Sequence, residues 1–554
     1  MKKIISIILA VVMMCSMFVP AFAATGASVE NIDPVIYISG DSNELWYDNE
    51  TKKFAIEDML GIYKNSEDGN IKEAAFNILY PLIVKGVLFD EWDDYYEAVY
   101  NELSDVYEPI KLDKNGNIPE DSDCGISTAQ KNDLARAKYE NRKSWKGTYA
   151  EKSYKFHYDW RLDPMELADQ LHDYIEDVCA GSGHEQVSIE VKCLGCNVLL
   201  AYIYKYPEDS AKRLKGVGID VATSMGADFL SGIVSGKFGI DGNSISRLAT
   251  DLSERNNMYT DIARFATSTI DLLTNTGVIG TLTEVAKEQL YVKIEYGIIS
   301  ALALSTFMTF PCYWALVTTE DFDNALNYVF GPEGSEKREE YKGLIEKITY
   351  YNDTIKKNVL PIMKTLEENG TNICVISKYG NQMVPVLKDG SIVGDEYVSA
   401  YRSSFGATTS NIYTTLSDEY IAQQNEKGLG RYISPDKQID ASTCLFPDYT
   451  WFFKGVSHGY YTRAEANLLM TVIDADRQLT IDDFDWTQFI VYDYQTDIAE
   501  PMTEENCHNE YWEADEKTDH PQTKQEKLVS FLKSLFKWIK SLFELIISRA
   551  PKTE

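Results

Sequence analysis

Val187-Ser-Ile-Glu-Val-Lys-Cys193-Leu-Gly195-Cys196-Asn-Val-Leu-Leu-Ala-Tyr-Ile-Tyr204 decides the reading of this chain. Its β-rich first half predicts a short strand; a tight turn and an apolar helix follow. A strained strand-to-helix turn of this kind pushes one side chain out over a sheet, which is the geometry of a nucleophile elbow. The elbow is usually spelled G-x-S-x-G. Here Val191 stands at the first glycine, Cys193 at the serine and Gly195 at the second glycine.

Outward from the elbow the same alternation continues. Pro34-Val-Ile-Tyr-Ile38 reads as a strand ending in Ser39-Gly40-Asp41, and Tyr154 to Trp160 as another. A helix with Met165, Leu167, Leu171 and Ile175 on its apolar face leads into the elbow. Val217 to Ala222 is a further strand, and Ile373 to Ser377 and Thr450 to Phe453 are the last core strands. Strands alternating with helices predict an α/β class with a mostly parallel central sheet. Residues 225–350 are helical in pattern and read as an inserted cap. Within them Tyr296 to Thr319 carries no charge and is long enough to span a bilayer, but Pro311 and four Ser or Thr residues favour a broken, buried helix.

The ends differ from the body. Lys2 and Lys3, the apolar run Ile4 to Phe18 and the Ala21-Phe-Ala23 site make residues 1–23 a secretory signal peptide, so a secreted or extracytoplasmic location is expected. The α/β domain then covers 24–505, an acidic linker 506–523 and an amphipathic helix 524–550. That helix carries Leu528, Leu535, Trp538 and Leu542 on one face and lysines on the flanks. Three placements fit such a helix: an anionic membrane surface, its own domain, or a second copy.

Composition excludes several classes. A net charge of −33 over 554 residues argues against nucleic acid as a partner, since phosphate binding needs clustered Lys and Arg. Eight cysteines outside the signal peptide are scattered through a long chain, unlike a small disulfide scaffold; one or two bridges are compatible with their number. The histidines show no zinc spacing, and no glycine-rich phosphate loop is present, so neither a metal nor a cofactor is expected. Asp113-Lys-Asn115-Gly-Asn117 has the polar character of a calcium loop but misplaces its glycine and puts Cys124 where the bidentate glutamate belongs.

A triad built on the elbow should run in the order nucleophile, acid, histidine. Cys193 comes first. Asp395, in Gly394-Asp395-Glu-Tyr-Val-Ser399, follows a late strand, and His458, in Trp451-Phe-Phe-Lys-Gly-Val-Ser-His458-Gly, follows the last. His458 would take the thiol proton while Asp395 holds its tautomer. The helix N-terminus, Lys192 and His458 would all favour thiolate over thiol.

With these residues the chain resembles the lecithin:cholesterol acyltransferase-like branch of lipase-like α/β-hydrolases. The likeness is spread over residues 34–460: Pro34 to Gly40 followed by Leu45-Trp46-Tyr47, Tyr158-Asp159-Trp160-Arg161, Ala222-Thr-Ser-Met-Gly226 and Phe310-Pro-Cys-Tyr-Trp314. The resemblance implies an α/β-hydrolase fold with a helical cap. It further implies a secreted hydrolase or acyltransferase that acts on a lipid-like ester through an acyl-enzyme. Its triad falls on Cys193, Asp395 and His458, and its oxyanion donors on the backbone N–H groups of Asp41 and Leu194. The chain departs from the family at Cys193 for serine, at Val191 for glycine and at Asp41, where an apolar residue is commoner. The competing reading is a lapsed hydrolase fold serving as a surface-associated binding module.

Two local rivals exist. Gly455-Val-Ser457-His458-Gly459 is a literal G-x-S-x-G, but only His508 and His520 lie downstream to serve it. Cys193-Leu-Gly-Cys196 is a C-x-x-C at a strand-to-helix junction, the placement of a redox pair, although the chain is far too long for a thioredoxin fold.

Overall fold

The computed structural model describes residues 33–40, 44–54, 81–87, 91–132, 153–237, 293, 297, 307–383, 390–493 and 498–507. The signal peptide, Asp41, nearly all of the linker and the 524–550 helix lie outside them.

Eight strands form the central sheet: β1 Val35–Ile38, β2 Ser153–Lys155, β3 Val187–Lys192, β4 Leu214–Asp220, β5 Asn372–Tyr379, β6 Thr450–Lys454, β7 Phe489–Asp493 and β8 Ile498–Pro501. Their order across the sheet is β8-β7-β6-β5-β4-β3-β1-β2. All neighbours are parallel except β7 and β8. The chain steps from β1 outward to β2 and then returns to the other side of β1 with β3. That reversal opens a crevice at the carboxyl ends of β1 and β3, where open parallel sheets receive ligands.

The strands are apolar because helices cover both faces. In β5, Ile373 and Val375 join one buried cluster while Cys374 and Ile376 join another, as the two-residue period of a strand requires. Helices α1 (Pro164–Ser182) and α2 (Gly195–Lys205) pack together within the first cluster. Asp163 caps α1 by accepting the Met165 N–H, and Gly183 ends it in a left-handed conformation. Between β4 and β5 the described residues form helices, with α3 (Asp228–Val234), α4 (Phe322–Phe330), α5 (Lys342–Thr354) and α6 (Val359–Glu368), while 238–292 of the expected cap lie outside them. Trp314, Phe322, Phe330, Val234 and Leu344 form a third cluster there. Helix α7 (Arg463–Ile473) belongs to the second cluster and lies on β4 and β5.

Several expected boundaries move. The Tyr154 to Trp160 strand begins at Ser153 and stops at Lys155; the Phe156 N–H makes one more bond, to the Tyr37 carbonyl, before β1 ends at Ile38. The Val217 to Ala222 strand begins at Leu214 and ends at Asp220, with Val221 turned out at φ 48°. Thr450–Lys454 is not the last strand, since β7 and β8 extend that edge. In the uncharged 296–319 run, Phe307–Thr309 and Pro311–Trp314 are separate short turns, as the proline predicts. Among the described residues no helix is long and apolar enough to cross a membrane. The Asp113 carboxylate accepts the N–H groups of Asn115 and Asn117, so it serves its own turn. All eight cysteines are free thiols, so none of the bridges that their number allows is formed.

Helix α7 approaches β4 closely because two glycines let it. A Cβ on Gly216 would lie 2.3 Å from the Ile473 carbonyl oxygen, and one on Gly218 2.3 Å from Leu469 Cδ2. Gly216→Ala should therefore cost about 1–3 kcal/mol, since a backbone oxygen cannot move aside as a side chain can. Urea unfolding measures this, and an unchanged midpoint contradicts the close packing.

Candidate active site

Cys193 sits between β3 and α2 with φ 49°, a left-handed backbone that costs a non-glycine residue about 1–3 kcal/mol. Three hydrogen bonds hold it there. Its N–H donates to the Asp220 carbonyl at 3.2 Å; its carbonyl accepts from the Cys196 N–H at 3.0 Å and from Thr223 Oγ1 at 2.8 Å. Asn197 Nδ2 donates to the same Thr223 oxygen at 2.9 Å. Gly195 is needed for the approach of α2 to β1, because a Cβ there would lie 2.7 Å from the Ser39 carbonyl oxygen. Val191 does not crowd the turn. It is fully buried in the same cluster as Val187 and Ile189.

The other two predicted residues arrive from the far half of the chain. His458 follows β6 and Asp395 follows β5. The His458 Nε2 is 3.0 Å from Cys193 Sγ, and its Nδ1 is 2.8 Å from Asp395 Oδ2. Asp395 is fully buried, and its Oδ1 accepts the N–H groups of Tyr397 at 3.1 Å and Val398 at 2.9 Å. The His458 N–H also donates to the Asp395 carbonyl at 3.1 Å, so backbone and side chain fix the pair together. The structure thus brings Cys193, His458 and Asp395 into one hydrogen-bonded chain.

Burial alone would lower the His458 pKa. The negative charges of Asp395 and Cys193 outweigh it and raise the value from 6.5 to about 10. A raised value favours the protonated ring, in which Nδ1–H would donate to Asp395 and Nε2–H to the sulfur. Such a pair supplies both a nucleophilic sulfur and an acid to protonate a leaving group.

The surroundings refine the reading. Lys192 does not act as a free cation beside the thiol, because its Nζ is 3.1 Å from Asp220 Oδ2. Of the two oxyanion donors, the Leu194 N–H makes no hydrogen bond among the described residues and lies 3.7 Å from a Cβ built on Gly40. Asp41 lies outside them. Gly40 covers the sulfur: a Cβ on it would be 3.6 Å from Sγ. Tyr158 donates to the carbonyls of Ser39 at 2.7 Å and Gly40 at 2.8 Å and so fixes the loop over the thiol, as the placement of Tyr158-Asp159-Trp160-Arg161 before the elbow leads one to expect. Arg161 is fully buried against Asp159 and the carbonyls of Ile110 and Cys124, which makes it an organiser of the chain there.

The rivals fare differently. Ser457 lies in the loop that delivers His458, while the elbow position belongs to Cys193. Cys196 is buried in the first turn of α2, and burial pushes its thiol well above the ordinary range, which opposes a redox thiolate.

The raised His458 pKa gives a signed expectation. The folded state binds the proton more tightly, so the stability from the pair is complete below pH 6.5 and is lost as pH rises through about 10. The stability that wild type holds over Asp395→Asn should therefore shrink from about pH 6 to pH 10. Thermal melts at about pH 6, 8 and 10 measure it. A gap that widens with pH contradicts the ion pair.

No family model and no curated protein matches the chain. A solved structure titled "The crystal structure of Tle4-Tli4 complex" is similar at 11% identity, covering 64% of this chain and 76% of that one, with a TM-score of 0.26. At that score the likeness carries no inference about fold or function.

Proposed function

We propose that the chain is an exported enzyme of the α/β-hydrolase type that cleaves or transfers an acyl group from a lipid-like ester. The observation that carries this is the unbroken Sγ–Nε2, Nδ1–Oδ2 chain through Cys193, His458 and Asp395 on a strained strand-to-helix turn. The Cys193 thiolate would attack the ester carbonyl. The oxyanion would form against the Leu194 N–H, and the His458 imidazolium would protonate the departing alkoxide, leaving an acyl thioester. Neutral His458 would then take a proton from water or an acceptor alcohol as that oxygen attacks the thioester, and Cys193 would leave as thiolate.

Aromatic side chains beside the base support an apolar acyl group as substrate. The Tyr397 ring lies 5.4 Å from the His458 ring, and Phe229 meets Tyr397 edge-on at 5.2 Å. The family resemblance supplies the rest of the lipid preference, since a fold by itself does not fix a substrate.

The test uses p-nitrophenyl butyrate and p-nitrophenyl palmitate with wild type, Cys193→Ala and Ser457→Ala. Wild type should turn over at least one ester and be inactivated by iodoacetamide. Cys193→Ala should lose roughly a thousandfold or more in kcat, as triad members do, while Ser457→Ala keeps most of its activity. The reverse pattern moves the nucleophile to Ser457. No turnover of either ester, with a thiol inert to iodoacetamide, points to the binding module instead.

A further inference from the structure

Four charged side chains gather at the carboxyl ends of β3, β4 and β5. Lys378 of β5 is fully buried, and its Nζ lies 3.0 Å from Asp220 Oδ1, 3.1 Å from Glu465 Oε1 and 2.6 Å from the Tyr460 carbonyl. Lys192 Nζ is 3.1 Å from Asp220 Oδ2. The Tyr461 ring lies 5.5 Å from the Lys192 ammonium and 5.8 Å from that of Lys378. Two cations and two anions balance, but a buried ionic group of this size is a weak source of stability compared with apolar packing. Its connections point to another role.

Each connection leads to a different part of the triad. The Asp220 carbonyl accepts the Cys193 N–H, and Lys192 immediately precedes Cys193. Tyr460 lies two residues beyond His458. Glu465 belongs to the first turn of α7, which ends that loop, and it closes a capping box with Thr462. Lys378 stands in the strand between these two halves, in register with Phe453 of β6, while its neighbour Ile376 is in register with Asp220 of β4. Its ammonium donates to Asp220 Oδ2 at 3.1 Å and to the Tyr460 carbonyl at 2.6 Å and pairs with Glu465 across 3.1 Å, so it ties together three separate segments.

We propose that Lys378 is a positioning residue: by holding Asp220, Glu465 and the Tyr460 carbonyl together, it fixes the His458 loop against the elbow and sets the Sγ–Nε2 contact. This rests on the Cys193–His458–Asp395 reading of the site. Losing the clamp would leave substrate contacts untouched and let the base drift from the sulfur. A misplacement of about 1 Å at reacting groups can cost up to 100-fold in rate.

The variant to test is Lys378→Met combined with Glu465→Gln. It removes one cation and one anion together, and glutamine keeps the capping hydrogen bond. Tyr461→Leu, which leaves all four charges and strips the ring from both ammoniums, is a second and milder variant. Two rates are read: p-nitrophenyl butyrate turnover and iodoacetamide alkylation of Cys193 at about pH 6.5, where a thiolate must be held by its neighbours to react. The double variant should lose roughly tenfold or more in kcat with KM unchanged, and alkylation should slow in parallel. Tyr461→Leu should move both rates in the same direction by less. A folded double variant with wild-type kcat and alkylation rate overturns the proposal and leaves Lys378 a merely structural residue. Alkylation needs no ester. If wild type turns over no ester but its fast alkylation is lost in the double variant, the esterase reading fails while the positioning role stands.

Discussion

The placement of Cys193 at φ 49° is the constraint on which the site depends. A side chain on a regular strand would point into one of the two buried clusters. A left-handed residue at the strand's end instead sends its sulfur out to meet His458 at 3.0 Å. The strain is held by backbone and hydroxyl partners on β4 and its following loop, Asp220 and Thr223, and not by the substrate side of the site. Gly195 and Gly40 then let α2 and the β1 loop close in around the thiol. Because β1 and β3 flank the reversal of strand order, the half-buried sulfur stands where such a sheet topology places a crevice.

Electrostatics divide into two layers. The outer layer is the His458 ring between Asp395 and Cys193, where its two partners overcome burial and raise its pKa. The inner layer is the buried group of Lys192, Asp220, Lys378 and Glu465. There, burial opposes the ionised Asp220, and Lys378 and Lys192 outweigh it. Lys192 is the member of both sequence neighbourhoods, beside the nucleophile yet paired away from it. His458 is the group that meets the sulfur directly, at 3.0 Å, while the ammonium of the neighbouring lysine is held by Asp220.

The sequence made the triad residues legible as a spacing pattern, because chain order is a topological property and survives where the literal motif does not. It favoured Cys193 over the better-spelled Ser457 for that reason, and the geometry places His458 against Cys193. Val191, where glycine is usual, reads as a departure only while its direction is unknown; it faces the core. The buried charge group was not legible, since Asp220, Lys378 and Glu465 are far apart in the chain and meet only once β4, β5 and α7 pack. One signal was available: Lys378 interrupts the apolar run of a strand buried on both faces, where a lone charge requires partners. The β7 and β8 edge is not among the strands expected from sequence, although the apolar run of Phe489–Asp493 is as strong as that of β6. Boundaries moved wherever pairing, which the sequence does not display, decided the length of a strand.

The central claim is that Cys193 carries the acyl group. Intact-protein and peptide mass spectrometry after rapid acid quenching of wild type mixed with p-nitrophenyl butyrate tests it most directly. The account predicts one butyryl group on the peptide containing Cys193, labile to hydroxylamine as a thioester and absent from Cys193→Ala. A butyryl group on Ser457, or ester turnover by wild type with no acyl adduct on Cys193 at any quench time, contradicts it.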